Sequence, residues 1–184
     1  MAIAEQVSRR SFWQAALLAA KPIIRGHGQI KPPVPVPDIA LVRDDGASTR
    51  LLPLVKGHVT AVQLMFTACT TTCPMQAAIF ERVQKILPAM EGSGIQLLSL
   101  SIDPKEDTPK ALSAWRRRFH AAPTWIAAAP AIADSAKVGA FFGKSSDGAD
   151  HSTQVHILDR AGRLVWRTFE LPAAEEISGI LRQI

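Results

Sequence analysis

Residues 59–76 read V-T-A-V-Q-L-M-F-T-A-C-T-T-T-C-P-M-Q, and each third of that stretch asks for a different local structure. Residues 59–66 form a β-branched and apolar run of the length of a buried strand. A short polar loop follows, carrying Cys69 and Cys73, the only two cysteines of the chain. Pro74 then opens a helix, where its missing N–H is harmless because first-turn N–H groups have no intrahelical partner. With the second half of the loop helical, a spacing of four turns both sulfurs to the same side. Cys73 falls at the helix N-terminus, where unpaired N–H groups and the macrodipole favour thiolate over thiol. The plainer alternative is a pair of small buried hydrophobes, a common fate of free cysteine.

Working outward, Met75, Ile79, Val83, Ile86, Leu87 and Met90 mark one face of the helix, which Gly92 and Gly94 end. Residues 95–102 read as a buried strand, and Thr108 and Pro109 supply the cap and first position of a helix reaching about Phe119. Residues 124–127 suit a short strand, Pro130 opens a helix ended by Gly143, and residues 144–150 are a polar loop. Residues 154–158 and 164–168 flank the turn Asp159-Arg160-Ala161-Gly162, and residues 172–183 close the chain as a helix. Upstream, residues 39–42 and 49–52 form a hairpin around Arg43-Asp44-Asp45-Gly46. This order predicts an α/β protein: a thioredoxin-like mixed sheet with flanking helices and an added N-terminal hairpin. In such sheets reactive sites lie beyond the carboxyl ends of the strands, where the cysteine loop falls.

A chain of 184 residues supports one domain plus a terminal extension. Ser8-Arg9-Arg10-Ser11-Phe12-Trp13, followed by a modest apolar run, is similar to a twin-arginine export signal. Residues 1–28 are therefore expected to direct export to the periplasm or the outer face of the inner membrane. Residues 29–36, rich in proline, are expected as an extended linker, and residues 37–184 as the folded domain. Much of the formal +5 charge sits on Arg9, Arg10, Lys21, Arg25 and Lys31, outside that domain. Arg116-Arg117-Arg118 would scatter around a helix rather than form a stripe. No interleaving of aromatic and basic residues suggests a nucleic-acid partner, and no 18-residue apolar stretch suggests a transmembrane helix.

Two neighbouring thiolates can form a disulfide or hold a soft metal. Zinc usually takes four ligands, and no second cysteine pair exists. Cu(I) is content with two thiolates, or two and an imidazole. Of five histidines, His151 in Asp150-His151-Ser152 stands between a loop and a strand, and His156 falls inside the strand pattern. His27, His58 and His120 have no special context.

Three segments carry a resemblance: Phe66 to Pro74, then Ser101-Ile102-Asp103-Pro104-Lys105-Glu106-Asp107-Thr108-Pro109, then Asp150-His151-Ser152. In this order they resemble the signatures of the SCO/SenC family, thioredoxin-fold copper-binding proteins that assist assembly of the cytochrome oxidase copper centre. The resemblance spans roughly residues 37–184. It implies a copper metallochaperone with Cys69, Cys73 and His151 as ligands for Cu(I) and Cu(II). It also implies Asp103 as a supporting residue and a cytochrome oxidase subunit as the client. The cysteine loop departs from the family, reading Thr-Thr-Thr where Pro-Asp is frequent, and the family's usual membrane-tethering helix has no counterpart in the sequence.

The main alternative is a periplasmic thiol–disulfide oxidoreductase, in which Cys69 and Cys73 are the catalytic pair and a thiol-reducing partner restores them. Such proteins usually carry C-x-x-C; one extra residue relaxes the loop without forbidding exchange. A peroxidase reading of Thr70-x-x-Cys73 would need proline where Phe66 stands. A binding module with inert cysteines is the remaining option. Met65 and Met75 offer thioethers, but Met75 opens the apolar stripe and is expected to pack in the core. Asp150 offers a carboxylate that could hydrogen-bond and orient the His151 imidazole.

Overall fold

The computed structural model describes residues 27–87, 92–143 and 152–184. Its sheet has eight strands: β1 Gly28–Pro35, β2 Ala40–Arg43, β3 Ser48–Arg50, β4 Val59–Met65, β5 Ile95–Ser101, β6 Trp125–Pro130, β7 Gln154–Leu158 and β8 Arg163–Glu170. Their order is β1-β8-β7-β4-β5-β6-β2-β3. β4, β5 and β6 run parallel; the remaining pairs are antiparallel. All seven residues of β4 are buried, which is why its sequence shows an apolar run rather than an alternation.

Among the described residues five helices cover the two faces: α1 Leu51–Val55, α2 Thr72–Ile86, α3 Pro109–Arg118, α4 Ser135–Phe142 and α5 Ala174–Gln183. On one face Cys73, Ala77 and Phe80 of α2, Leu112 and Trp115 of α3 and Ile177 of α5 pack with Val59, Ala61 and Met65. On the other, Leu51 and Val55 of α1 and Val138 and Phe142 of α4 pack with Val62 and Leu64. The thioredoxin-like plan expected from the order of elements is the one observed. The cap of α3 is also as expected: the Thr108 hydroxyl accepts the Ala111 N–H at 3.3 Å, with Pro109 in the first turn. Among the described residues no helix is long and apolar enough to cross a membrane.

Four local expectations need correction. Residues 28–35, expected to run as a free linker from residue 29, are extended but pair with β8 as an edge strand. An edge strand needs its ladder on one side only, so prolines are tolerated there. The register shifts between Gln29 and Val34, where Pro32 and Pro33 interrupt the donors. Leu51 and Leu52 end no strand; they begin α1, with Pro53 in its first turn and Leu51 and Val55 buried four apart. α2 stops at Ile86 rather than at Gly92, because Leu87 precedes Pro88 and is thereby biased out of helical backbone. Pro130 ends β6 instead of opening a helix. Gly162 turns the second hairpin at φ +74, a left-handed conformation that strains any residue with a Cβ.

Candidate metal centre

Met65 and Ser101 are register partners at the carboxyl ends of parallel β4 and β5, so the loops that follow them lie side by side. The first carries the cysteines. It turns through a Cys69 N–H to Phe66 carbonyl bond of 3.2 Å and enters α2 at Thr72. Thr71, at the cap position, makes no side-chain cap bond. The Cys69 sulfur takes that role, accepting the Cys73 N–H at 3.4 Å, with the Thr71 and Thr72 hydroxyls each at 3.9 Å. Neither cysteine is in a disulfide. Cys69 is 7% exposed and Cys73 is 0% exposed, so an incoming atom reaches the pair from the Cys69 side.

The two thiols differ in acidity. Burial pushes Cys69 up, but hydrogen bonds from the Cys73 thiol, the Cys73 and Thr71 backbone and the Thr72 hydroxyl outweigh it and hold the group at about 6. Burial, joined by the bond to Cys69, pushes Cys73 up to about 12. The helix terminus therefore favours a thiolate as expected, but on Cys69, which receives the N–H groups, and not on Cys73. Alkylation of the reduced protein is expected to accelerate as pH rises through about 6 and to label Cys69 first. The same asymmetry makes the reduced fold gain stability from about pH 6 to 9, where only the unfolded chain still holds that proton, and lose stability above 9 through Cys73. Mass mapping of the label and urea midpoints across that range check both; first labelling at Cys73 would contradict the assignment.

The loop after β5 contributes a residue that the motif reading passed over. Asp107 is 2% exposed, and its Oδ1 accepts the Thr67 N–H at 2.9 Å and the Thr67 hydroxyl at 2.6 Å. Its Oδ2 accepts the Ser101 hydroxyl at 2.6 Å. Asp103 works through its backbone: its N–H donates to Ser101 Oγ at 3.0 Å, and its carbonyl accepts the N–H groups of Glu106 and Asp107. In sequence, an aspartate ahead of a Thr-Pro helix start looks like ordinary helix-entry chemistry.

Gln76, one turn beyond Cys73 and fully buried, donates to the Thr153 carbonyl at 3.0 Å. The Ser152 hydroxyl and the Thr153 N–H and hydroxyl donate to the Glu170 carboxylate. The start of β7 is thus tied both to the cysteine helix and to the end of β8. His151 and Asp150 lie outside the described residues. Met75 is 55% exposed, contrary to the expected core position, because α2 is phased to bury Cys73, Ala77 and Phe80; Met65 is fully buried. His156 is fully buried beside Phe142 and Arg167, and burial, then the Arg167 charge, push its imidazole down to about 3. His58 stands at the opposite end of β4, and His120 is exposed beyond the end of α3.

A thioredoxin-like sheet with a vicinal thiol pair at the carboxyl end of its parallel strands defines a thiol-based site. The family model SCO1/SenC matches residues 40–184, and the chain belongs to that family. The "SCO1 protein homolog" of Bacillus subtilis is 34% identical over 96 residues, 51% of this chain and 49% of that protein, so the chain aligns with about half of that relative's length. A SCO1/SenC family lipoprotein from Bacillus anthracis has a TM-score of 0.69 at 23% identity, covering 84% of this chain and 98% of the other. Bradyrhizobium japonicum ScoI, solved with copper bound, has a TM-score of 0.67 at 22% identity, covering 82% and 99%.

Proposed function

We propose that this chain is a copper carrier that loads or prepares the copper site of a cytochrome oxidase-type client, with copper as its cargo. One observation carries the proposal: two reduced cysteines joined through the Cys73 N–H to Cys69 Sγ bond, one of them readily a thiolate at neutral pH. Soft thiolates in a nearly closed site suit Cu(I), which accepts two-coordinate binding. His151 is proposed as the third ligand. Gln76 stands three positions from Cys73, about 4.5 Å along the helix axis, and holds the Thr153 carbonyl. Residue 151 lies at most about 7 Å of extended chain from Thr153, which supports an imidazole within reach of the sulfurs.

Titrating the reduced protein with Cu(I) against a competing chelator is expected to give one ion per chain. No binding with both thiols titratable would refute the carrier reading. It would leave the thiol–disulfide oxidoreductase, which the split acidity of Cys69 and Cys73 favours, since exchange needs an accessible thiolate and a sheltered second thiol.

Export through residues 1–28 is part of the proposal, supported by the paired arginines and by the lipoprotein relative of Bacillus anthracis. Arg9→Lys together with Arg10→Lys is expected to leave the full chain in the cytoplasm on fractionation. Normal export of that double variant would exclude the twin-arginine route.

A further inference from the structure

The cysteine loop has two anchors. One is the helix, which fixes Cys73. The other is Asp107, forty positions from Thr67 in sequence and in contact with it through two hydrogen bonds to one carboxylate oxygen. We infer that Asp107 is a positioning residue for the thiol pair: by clamping Thr67 to the end of β5 it sets where Cys69 stands relative to Cys73. The inference rests on the function proposed for the pair, and it concerns placement rather than charge.

The geometry supports this in three ways. Thr67 is two residues before Cys69, and the intervening turn closes from Phe66 to Cys69, so a shift of Thr67 is passed on to the sulfur. Asp107 is held from the other side by Ser101, whose hydroxyl donates to Oδ2 while its oxygen accepts the Asp103 N–H. Ser101 belongs to β5, which pairs with β4 along its whole length, so the clamp is referred to a fully paired, interior part of the sheet. The carboxylate itself is almost wholly buried, and three donors satisfy it locally.

Placement and charge are separable by substitution. Asp107→Asn keeps an oxygen for the two Thr67 donors, and its amide can donate to Ser101 Oγ, so the clamp survives without its charge. Asp107→Ala removes the clamp, and Thr67→Val removes one of its bonds while keeping the β-branched shape. Metal-site variants of this kind typically lose about 10–100-fold in affinity. Asp107→Ala is therefore expected to weaken Cu(I) in that range and to broaden and shift the thiolate-to-copper charge-transfer band of the Cu(II) form. Asp107→Asn is expected to restore most of both, and Thr67→Val to fall between.

A second measurement needs no copper. In a glutathione redox buffer, Cys69 and Cys73 each lose a proton and together two electrons as their disulfide forms. Glutathione disulfide takes up both and leaves as two glutathione thiols. A loosened loop closes that disulfide less readily, so in Asp107→Ala the balance is expected to move about tenfold toward the dithiol, roughly 30 mV for two electrons, and to return in Asp107→Asn. If copper binding fails in the parent while this shift appears, the carrier reading falls and the positioning role stands. If Asp107→Asn is as impaired as Asp107→Ala, charge and not placement is at work. If folded Asp107→Ala and Thr67→Val match the parent in affinity, band and redox balance, the inference is wrong.

Discussion

Cys69→Ala and Cys73→Ala are each expected to remove most of the Cu(I) affinity, on the order of 10²-fold, and oxidation of the intact pair to its disulfide is expected to abolish binding. The scale follows from sites built of thiolates and imidazoles, where four ligands share roughly 10–16 kcal/mol of binding. One ligand then contributes about 3 kcal/mol, on the order of 10²-fold in affinity, and two-coordinate copper has no spare ligand to compensate. The two variants should differ in the fold itself. Cys73 is fully buried on the inner face of α2, so truncation removes a packed sulfur, whereas Cys69 serves as the acceptor that caps α2 at the Cys73 N–H. Chelator competition and calorimetric unfolding of both variants measure these effects. Stoichiometric Cu(I) binding by the oxidised protein would overturn the thiolate assignment.

His151→Ala is expected to discriminate between copper oxidation states. Cu(I) is soft and can remain between two sulfurs, so its affinity should fall by less than about tenfold. Cu(II) prefers nitrogen and a more planar arrangement, so losing the imidazole should cost it the share of a full ligand, about 10²-fold. His156→Ala and His120→Ala serve as controls with different reasons to be silent. The His156 imidazole is enclosed between strands with Phe142 against it, and its replacement should lower stability without touching copper. His120 is exposed past the end of α3, near Glu81 at 3.4 Å, far along the chain from the thiol loop. The Cu(II) titration is followed by the thiolate-to-copper charge-transfer band in each variant. An unchanged band and affinity in His151→Ala would remove His151 from the ligand set and return weight to the oxidoreductase.

The elements that could be read without coordinates are those whose cause is local. β4 shows as an apolar run of strand length, the turn at Asp159 to Gly162 as a hairpin signal, and the start of α3 as a Thr-Pro cap. Each depends on residues within a few positions of one another, so composition and spacing suffice. The cysteine pair belongs to the same class: strand, loop, helix and a spacing of four are a contiguous statement. So are the three segments whose resemblance pointed to the SCO1/SenC family.

What stayed hidden depends on partners distant in the chain. Whether Met75 or Cys73 faces inward is a rotation of α2 about its axis. Ala77 and Phe80 decide it by packing against β4 and β6, and the resulting phase leaves Met75 outside. A proline-rich stretch becomes β1 only because β8 offers an edge that tolerates missing donors. The acidity of the two thiols reverses the simple helix-terminus expectation, because which sulfur receives the N–H groups depends on the path of the loop. That path depends on Asp107, forty residues beyond Thr67, reaching it only because β4 and β5 are parallel and end side by side. Local propensity wrote the elements and the thiol pair into residues 59–76; the sheet, by setting the strand ends level, decided how those thiols are held.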